Sequence, residues 1–337
     1  MQQDASLILG DNTVVRGCGC GWMRDTHSHN IVVDTQQYNC ERSLTTPINR
    51  ESILLRTFPI VHQLDTEYID TKFCNARGLI AGHLLNSAKS DLQTSSIDTW
   101  DSWLRSRGIP CIFNVDVGQI YRKLCDAKGK LNAKIVFDNK LKLQLARPLI
   151  GQLTNYTIGD KPTNIAIIDM GLDDTSKDIL LRHATLRVFG DYDYNQVVST
   201  SPDYILFSDG CGNPVNQKLA INLVKANLLS KRPIPMLGIG MGSAVLAIGH
   251  GLKISKLPIS TIGNATVHNL ADDAMHNIEV ACDYVLVDKN LPQDVKVTSR
   301  LLYSNIISSV LYKKTKSVGI LSSPQLLQQW LSKQLNI

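Results

Sequence analysis

The run PMLGIGMGSAVLAIGHG at 235–251 has the layout of an enzyme's nucleophile elbow, and no nucleophile stands in it. The apolar stretch 235–239 predicts a buried strand. Gly240, Met241 and Gly242 follow, and the apolar run 243–251 predicts a helix. A strand, a sharp turn and a helix lift one side chain above a sheet and aim backbone N–H groups at a substrate oxygen. Acyl-transfer chemistry at such a turn needs Cys or Ser at the apex. The apex here is Gly240, which has no side chain.

Other residues of chemical type invite weighing. Cys211 lies in the glycine loop SDGCGNP. A reactive thiol needs a base or a cation beside it, and the sequence supplies neither, so a small loop residue is expected. Cys18 and Cys20 would share one strand face, as would His27 and His29. If 12–21 pairs with 27–35, two thiols face two imidazoles, which is a zinc set. The C-x-C…H-x-H spacing departs from the usual zinc pattern, so no metal is expected. Asp169 is expected to fix its loop, and Met241 to sit in the core. His183 and His250 lie near helix ends, where they are expected to partner the helix dipole.

The elements that must position these residues fall into two halves. The first, 1–150, opens with an alternating hairpin around Gly10, Asp11 and Asn12. Strands are predicted at 30–35, 52–61, 111–116 and 134–137, and helices at 96–110 and 117–129. Trp100, Trp103 and Leu104 share a face of the first helix, and Gly129 closes the second. This half reads as α+β. The polar stretch 151–163 reads as a linker. From 164 to 337 apolar strands at 165–169, 185–190, 204–208 and 235–239 alternate with helices at 173–184, 216–231 and 243–251. That alternation predicts a parallel sheet covered on both faces. Its site should lie beyond the carboxyl ends of the strands, where SDGCGNP and GIGMG fall.

Composition narrows the function classes. The chain has 337 residues, which at about 100–200 residues per domain suggests two. Its net charge of +5 is spread out rather than gathered on one face, which argues against nucleic acid as a partner. No apolar run reaches the length of a membrane span. The first residues lack the marks of a secretory or transit segment. A cytoplasmic location follows as the expectation. The eight scattered cysteines are expected to be reduced thiols.

Loop and elbow together resemble the class I glutamine amidotransferases, whose loop reads S-N-G-P-G-D-P and whose elbow reads G-I-C-L-G-H-Q. Here they read Ser208-Asp209-Gly210-Cys211-Gly212-Asn213-Pro214 and Gly238-Ile239-Gly240-Met241-Gly242-Ser243-Ala244. The first half narrows the match. LILGDNTVVRG, the segment IVVDTQQYNCERSLTTPINRESILLRTFPIVHQLDT and GIPCIFNVDVGQIYRKLCDAKG resemble successive segments of the carbamoyl-phosphate synthetase small subunit. The resemblance implies a flavodoxin-like amidotransferase domain behind an α+β small-subunit domain. It also implies a family tied to pyrimidine or arginine biosynthesis.

The departures decide the expected function. The family's Cys, His and Glu fall on Gly240, Ser323 and Gln325, so no catalytic residue is expected. The Gln that helps hold glutamine falls on Ala244, and the substrate-clamping Q-N-H-G-F segment near Ala281-Cys282-Asp283-Tyr284. The D-P-S-Y turn reads Thr46-Pro47-Ile48-Asn49, and M-T-G-Y reads Gln37-Tyr38-Asn39-Cys40. Gly210, Gly212, Met241 and Gly242 remain as vestiges of the substrate site, with Gly238 and Gly263 also kept. The expected protein is a pseudoenzyme without cofactor. It acts as a structural or regulatory subunit on another protein, for which a large-subunit-like chain or a larger assembly is the implied partner. Two alternatives stay open: a ligand-binding or metabolite-sensing module using the emptied glutamine pocket, and a weak unrelated enzyme there.

Overall fold

The computed structural model describes residues 3–37, 39–60, 64, 74–83, 96–138 and 155–335. The chain divides into two compact units: 1–151 with 258–263, and 152–257 with 264–337.

Among the described residues, the first unit is a closed ring of seven strands. They are β1 (Gln3–Leu9), β2 (Val14–Gly21), β3 (His29–Asp34), β4 (Ser52–Arg56), β5 (Gly78–Ala81), β6 (Pro110–Phe113) and β7 (Asn132–Phe137). β1 and β2 form the expected hairpin, and the ring then runs β2–β6–β5–β4–β3–β7 and back to β1. Alternation along the strands sends Leu7, Ile31, Val33, Ile53, Leu55, Ile80, Ile112 and Ile135 into one core. Val32, Leu54, Leu79 and Cys111 are buried on the opposite face. That face carries α1 (Cys40–Thr45) and α2 (Ser96–Ser106), with Leu44, Trp100, Trp103 and Leu104 buried. α3 (Val117–Asp126) closes where expected, on Gly129 at φ +72°.

β3 and β4 end on an ion pair that the sequence does not announce. Arg56 Nη1 donates to Asp34 Oδ2 at 2.6 Å, with both side chains fully buried. Asp34 Oδ1 also accepts the Gln36 N–H at 2.9 Å. Burial pushes the Asp34 carboxyl up, against the opposing pull of Arg56.

The second unit is a parallel sheet with antiparallel strands on its edges. Its parallel strands are β9 (Asn164–Ile168), β10 (Thr185–Phe189), β11 (Tyr204–Phe207), β12 (Met236–Ile239) and β17 (Ser317–Ile320). They lie in the order β10–β9–β11–β12–β17. That is the flavodoxin-like order, and it confirms the expected fold class. Ile165, Ile167, Leu206, Leu237 and Ile239 face one core. It is covered by α4 (Asp174–Leu181) and α8 (Pro324–Leu335). Ala166, Ile168, Ile205, Phe207 and Met236 face the other. α5 (Tyr194–Ser199), α6 (Lys218–Leu229) and α7 (Met241–Gly249) cover that side. Between α7 and β17 the chain makes β13 (Ile254–Asn269), β14 (Met275–Leu286), β15 (Val295–Leu301) and β16 (Ile307–Tyr312). β15, β16 and β17 are antiparallel neighbours.

Several boundaries differ from the sequence reading. Within the stretch read as linker, Tyr156–Ile158 forms β8 and pairs antiparallel with β10, so the second unit begins before residue 164. Strand β4 stops at Arg56 rather than 61. Residues 258–263 belong to the first unit, where Thr261 and Ile262 pair with the end of β3. Among the described residues no helix is long and apolar enough to cross a membrane.

The buried pair gives the first prediction. Arg56→Met should lower unfolding free energy by about 3–5 kcal/mol, because it leaves Asp34 buried and uncompensated. Asp34→Asn combined with Arg56→Met should recover most of that loss in denaturant melts. A double variant as unstable as the single one would contradict the charge-based account.

Candidate functional site

The elbow forms where the sequence places it. β12 ends at Ile239, Gly240 takes φ +52° and ψ −108°, and α7 begins at Met241, two residues before the expected start. That backbone conformation is open to glycine and strained for a residue with a Cβ. The turn is held by Gly240 N–H on Ile320 O at 2.9 Å and by Ala244 N–H on Gly240 O at 3.2 Å. Gly242 lies against the Phe207 backbone so closely that a Cβ there would overlap it.

The apex is not open space. A Cβ built on Gly240 would fall on the Asp209 carboxylate. Asp209 stands where the resembling loop reads Asn. Its Oδ1 accepts the Met241 N–H and the Gly210 N–H, each at 2.8 Å. The Ser322 hydroxyl is a further partner of the carboxylate. Burial pushes the Asp209 carboxyl up to about 6, against the downward pull of Met241, Ser322 and Gly210.

The two other expected catalytic positions serve the next helix. Ser323 is buried and precedes α8, with Pro324 opening the helix. Its carbonyl accepts the Leu327 N–H at 3.1 Å, and its hydroxyl lies 3.5 Å from the Leu326 nitrogen. This is an N-cap followed by proline at the first helical position. The Gln325 side-chain carbonyl accepts from the Ser323 hydroxyl at 3.0 Å and from the Glu279 N–H at 3.3 Å, tying α8 to β14. Neither side chain is a base.

The remaining residues fall as follows. Gly210 and Met241 supply the two N–H groups on Asp209, and Gly212 has φ +96° in its loop. A cavity of about 20 Å³ lies beside the elbow, lined in part by Gly240, Ser243, Ala244, Tyr284, Ser308 and Tyr312. That is room for about one water. Cys211 is partly exposed in the loop. Cys282, on β14, is buried, and burial with Asp283 and Asp209 nearby pushes its thiol up to about 12. It is protonated at neutral pH and a poor nucleophile. Asp169 fixes its loop as expected, accepting the Gly171 and Leu172 N–H groups at 2.9 and 2.8 Å. In the first unit, Pro47–Asn49 is a short 3-10 turn.

Two readings need correction. Strand β2 pairs with β1 and β6, not with the strand that follows it. Cys20 therefore lies opposite Cys111 and Cys18 opposite Phe113, so the hairpin that would face thiols toward His27 and His29 does not exist. His250 does not serve the helix dipole as a cation. Burial pushes it down to about 4, and its neutral ring stacks on Tyr312 at 3.9 Å.

Two predictions follow from the elbow. Gly240→Ala should cost about 1–3 kcal/mol in denaturant melts, from backbone strain plus displacement of Asp209. In an Asp209→Gly background the same change should cost less, because the collision is gone. Asp209 also sets a pH dependence. Its folded pKa of about 6 exceeds the ordinary 3.8, so the folded state holds the extra proton between those values. Stability should therefore fall as pH rises from about 4 to about 7, by an order of 2–3 kcal/mol. Asp209→Asn should remove that slope. A slope unchanged in Asp209→Asn would show that another group carries it.

Comparison with known proteins supplies a family context. Residues 7–135 match the family model described as carbamoyl-phosphate synthase small chain, CPSase domain. The chain is similar to the carbamoyl phosphate synthase small chain of Clostridium acetobutylicum, with 24% identity covering 95% of this chain and 94% of that protein. The Sulfurisphaera tokodaii small chain is 26% identical over 74% of this chain and 72% of its own length. The mitochondrial carbamoyl-phosphate synthase [ammonia] of Aquarana catesbeiana is 24% identical over 77% of this chain but only 18% of that longer protein. Among solved structures, a glutamine amidotransferase from Thermotoga maritima aligns with 52% of this chain and 83% of its own, at 14% identity and a TM-score of 0.36.

Proposed function

We propose that this chain, which belongs to the carbamoyl-phosphate synthase small-chain family, is a non-catalytic member that works by binding another protein. The observation that carries the reading is the apex of the elbow: Gly240 presents no nucleophile at the end of β12. Ser323, which caps α8, and Gln325, which ties α8 to β14, support it. A nucleophile and its base act as a unit, so losing one forfeits most of the rate and losing the rest adds little.

The relatives are named as small chains, and the amidotransferase-like unit has kept its folded core while its catalytic positions changed. A large-chain-like partner is the first candidate. One relative is named for ammonia, which fits a small-chain-like region that supplies no nitrogen from glutamine.

The test combines the purified chain with a purified carbamoyl-phosphate synthase large chain. Sedimentation should show a complex. Carbamoyl phosphate should form with ammonium salts, and with glutamine it should stay at the large chain's own background. Gly240→Cys alone should leave glutamine use at background, because no His stands at Ser323. Glutamine-dependent synthesis by the unaltered chain would overturn the non-catalytic reading. Absence of any complex would overturn the large chain as partner.

A further inference from the structure

Asp209 is placed as no loop residue needs to be. One of its oxygens receives backbone N–H groups from two different elements, Gly210 in the loop after β11 and Met241 at the start of α7, each at 2.8 Å. The Ser322 hydroxyl approaches from the segment after β17. Groups after β12 and β17 thus meet the carboxylate of the loop after β11, at the ends of three neighbouring parallel strands, and that side chain's residue is 6% exposed. The same carboxylate fills the space that an apex side chain would enter. Donors aimed at one point form a cradle for an oxygen bearing negative charge, and here they offset part of what burial costs that charge. The other charged or titratable groups acting here are Asp173, before α4, and Cys282 on β14, and neither is a cation.

We propose that the Asp209 carboxylate is an internal ligand of the elbow's anion cradle, closing the site to outside carboxylates and amides. The proposal rests on the reading of the elbow as catalytically empty. It adds a second closure, independent of the missing nucleophile. Removing the carboxylate while keeping the backbone should therefore leave a vacancy that fits a small carboxylate.

Full-length Asp209→Gly is the variant and sodium formate the probe, with sodium chloride at equal ionic strength as control. The melting temperature of Asp209→Gly should rise saturably with formate, with apparent affinity at least tenfold tighter than any response of the unaltered protein. Asp209→Asn keeps an acceptor in the cradle and should not respond. No formate-specific rise in a folded Asp209→Gly, or an equal rise in the unaltered protein, would overturn the proposal. If Asp209→Gly does not fold, amide NMR of the unaltered protein decides. The Gly210 and Met241 N–H shifts should titrate together with a common midpoint, and this shared titration should vanish in Asp209→Asn. Independent or absent titration would overturn the proposal. Glutamine hydrolysis by the unaltered protein would instead sink the reading it rests on, so the two failures are separable.

Discussion

A buried parallel strand can hand over to a helix packed above it within one residue if that residue reverses the chain at positive φ. Residue 240 does so at φ +52°. The consequence is a helix whose first N–H groups lack intrahelical partners and point at the carboxyl ends of the strands. Buried N–H groups must find acceptors. In an elbow that performs acyl transfer, such groups await a charged oxygen of the transition state. In this chain the Asp209 carboxylate accepts the first of them, and a side chain at 240 would collide with it. Glycine at the apex and aspartate in the loop are thus mutually consistent choices.

Side chains around the elbow are likewise committed to structure. Ser323 caps a helix, and Gln325 ties that helix to β14. His250, the residue after the end of α7, is neutral and stacked on Tyr312. Cys282 lies near Asp209, with its thiol held protonated by burial. Ser323 and Gln325 thus have fixed hydrogen-bond duties, and burial favours the uncharged forms of His250 and Cys282.

Much of the second unit was legible because strands buried on both faces read as continuous apolar runs. IAIID, YILFS and PMLGI are such runs, and each is a strand of the parallel sheet. Tyr156–Ile158 was read as linker because the edge strand has all three residues exposed and carries no burial pattern. In the first unit the hairpin was visible, but ring closure was not. It depends on β2 meeting β6 far along the chain, and strand composition does not encode a long-range partner. That is also why the sequence alone allows the Cys and His set to share a face. Asp209 itself was readable as a departure from a loop motif. Its contact with Met241 joins loops 32 residues apart, and only the folded sheet brings them together.

The most direct measurement is covalent. A glutamine analogue bearing an electrophilic carbon in place of the carboxamide captures the nucleophile of any amidotransferase site that binds it. After incubation with the purified chain, intact-mass spectrometry should show no adduct, while an amidotransferase with an intact triad is modified under the same conditions. One adduct per chain, blocked by excess glutamine and mapped to Cys211, Cys282 or Ser323, would contradict the account. It would mean that a working nucleophile stands beside Gly240 after all.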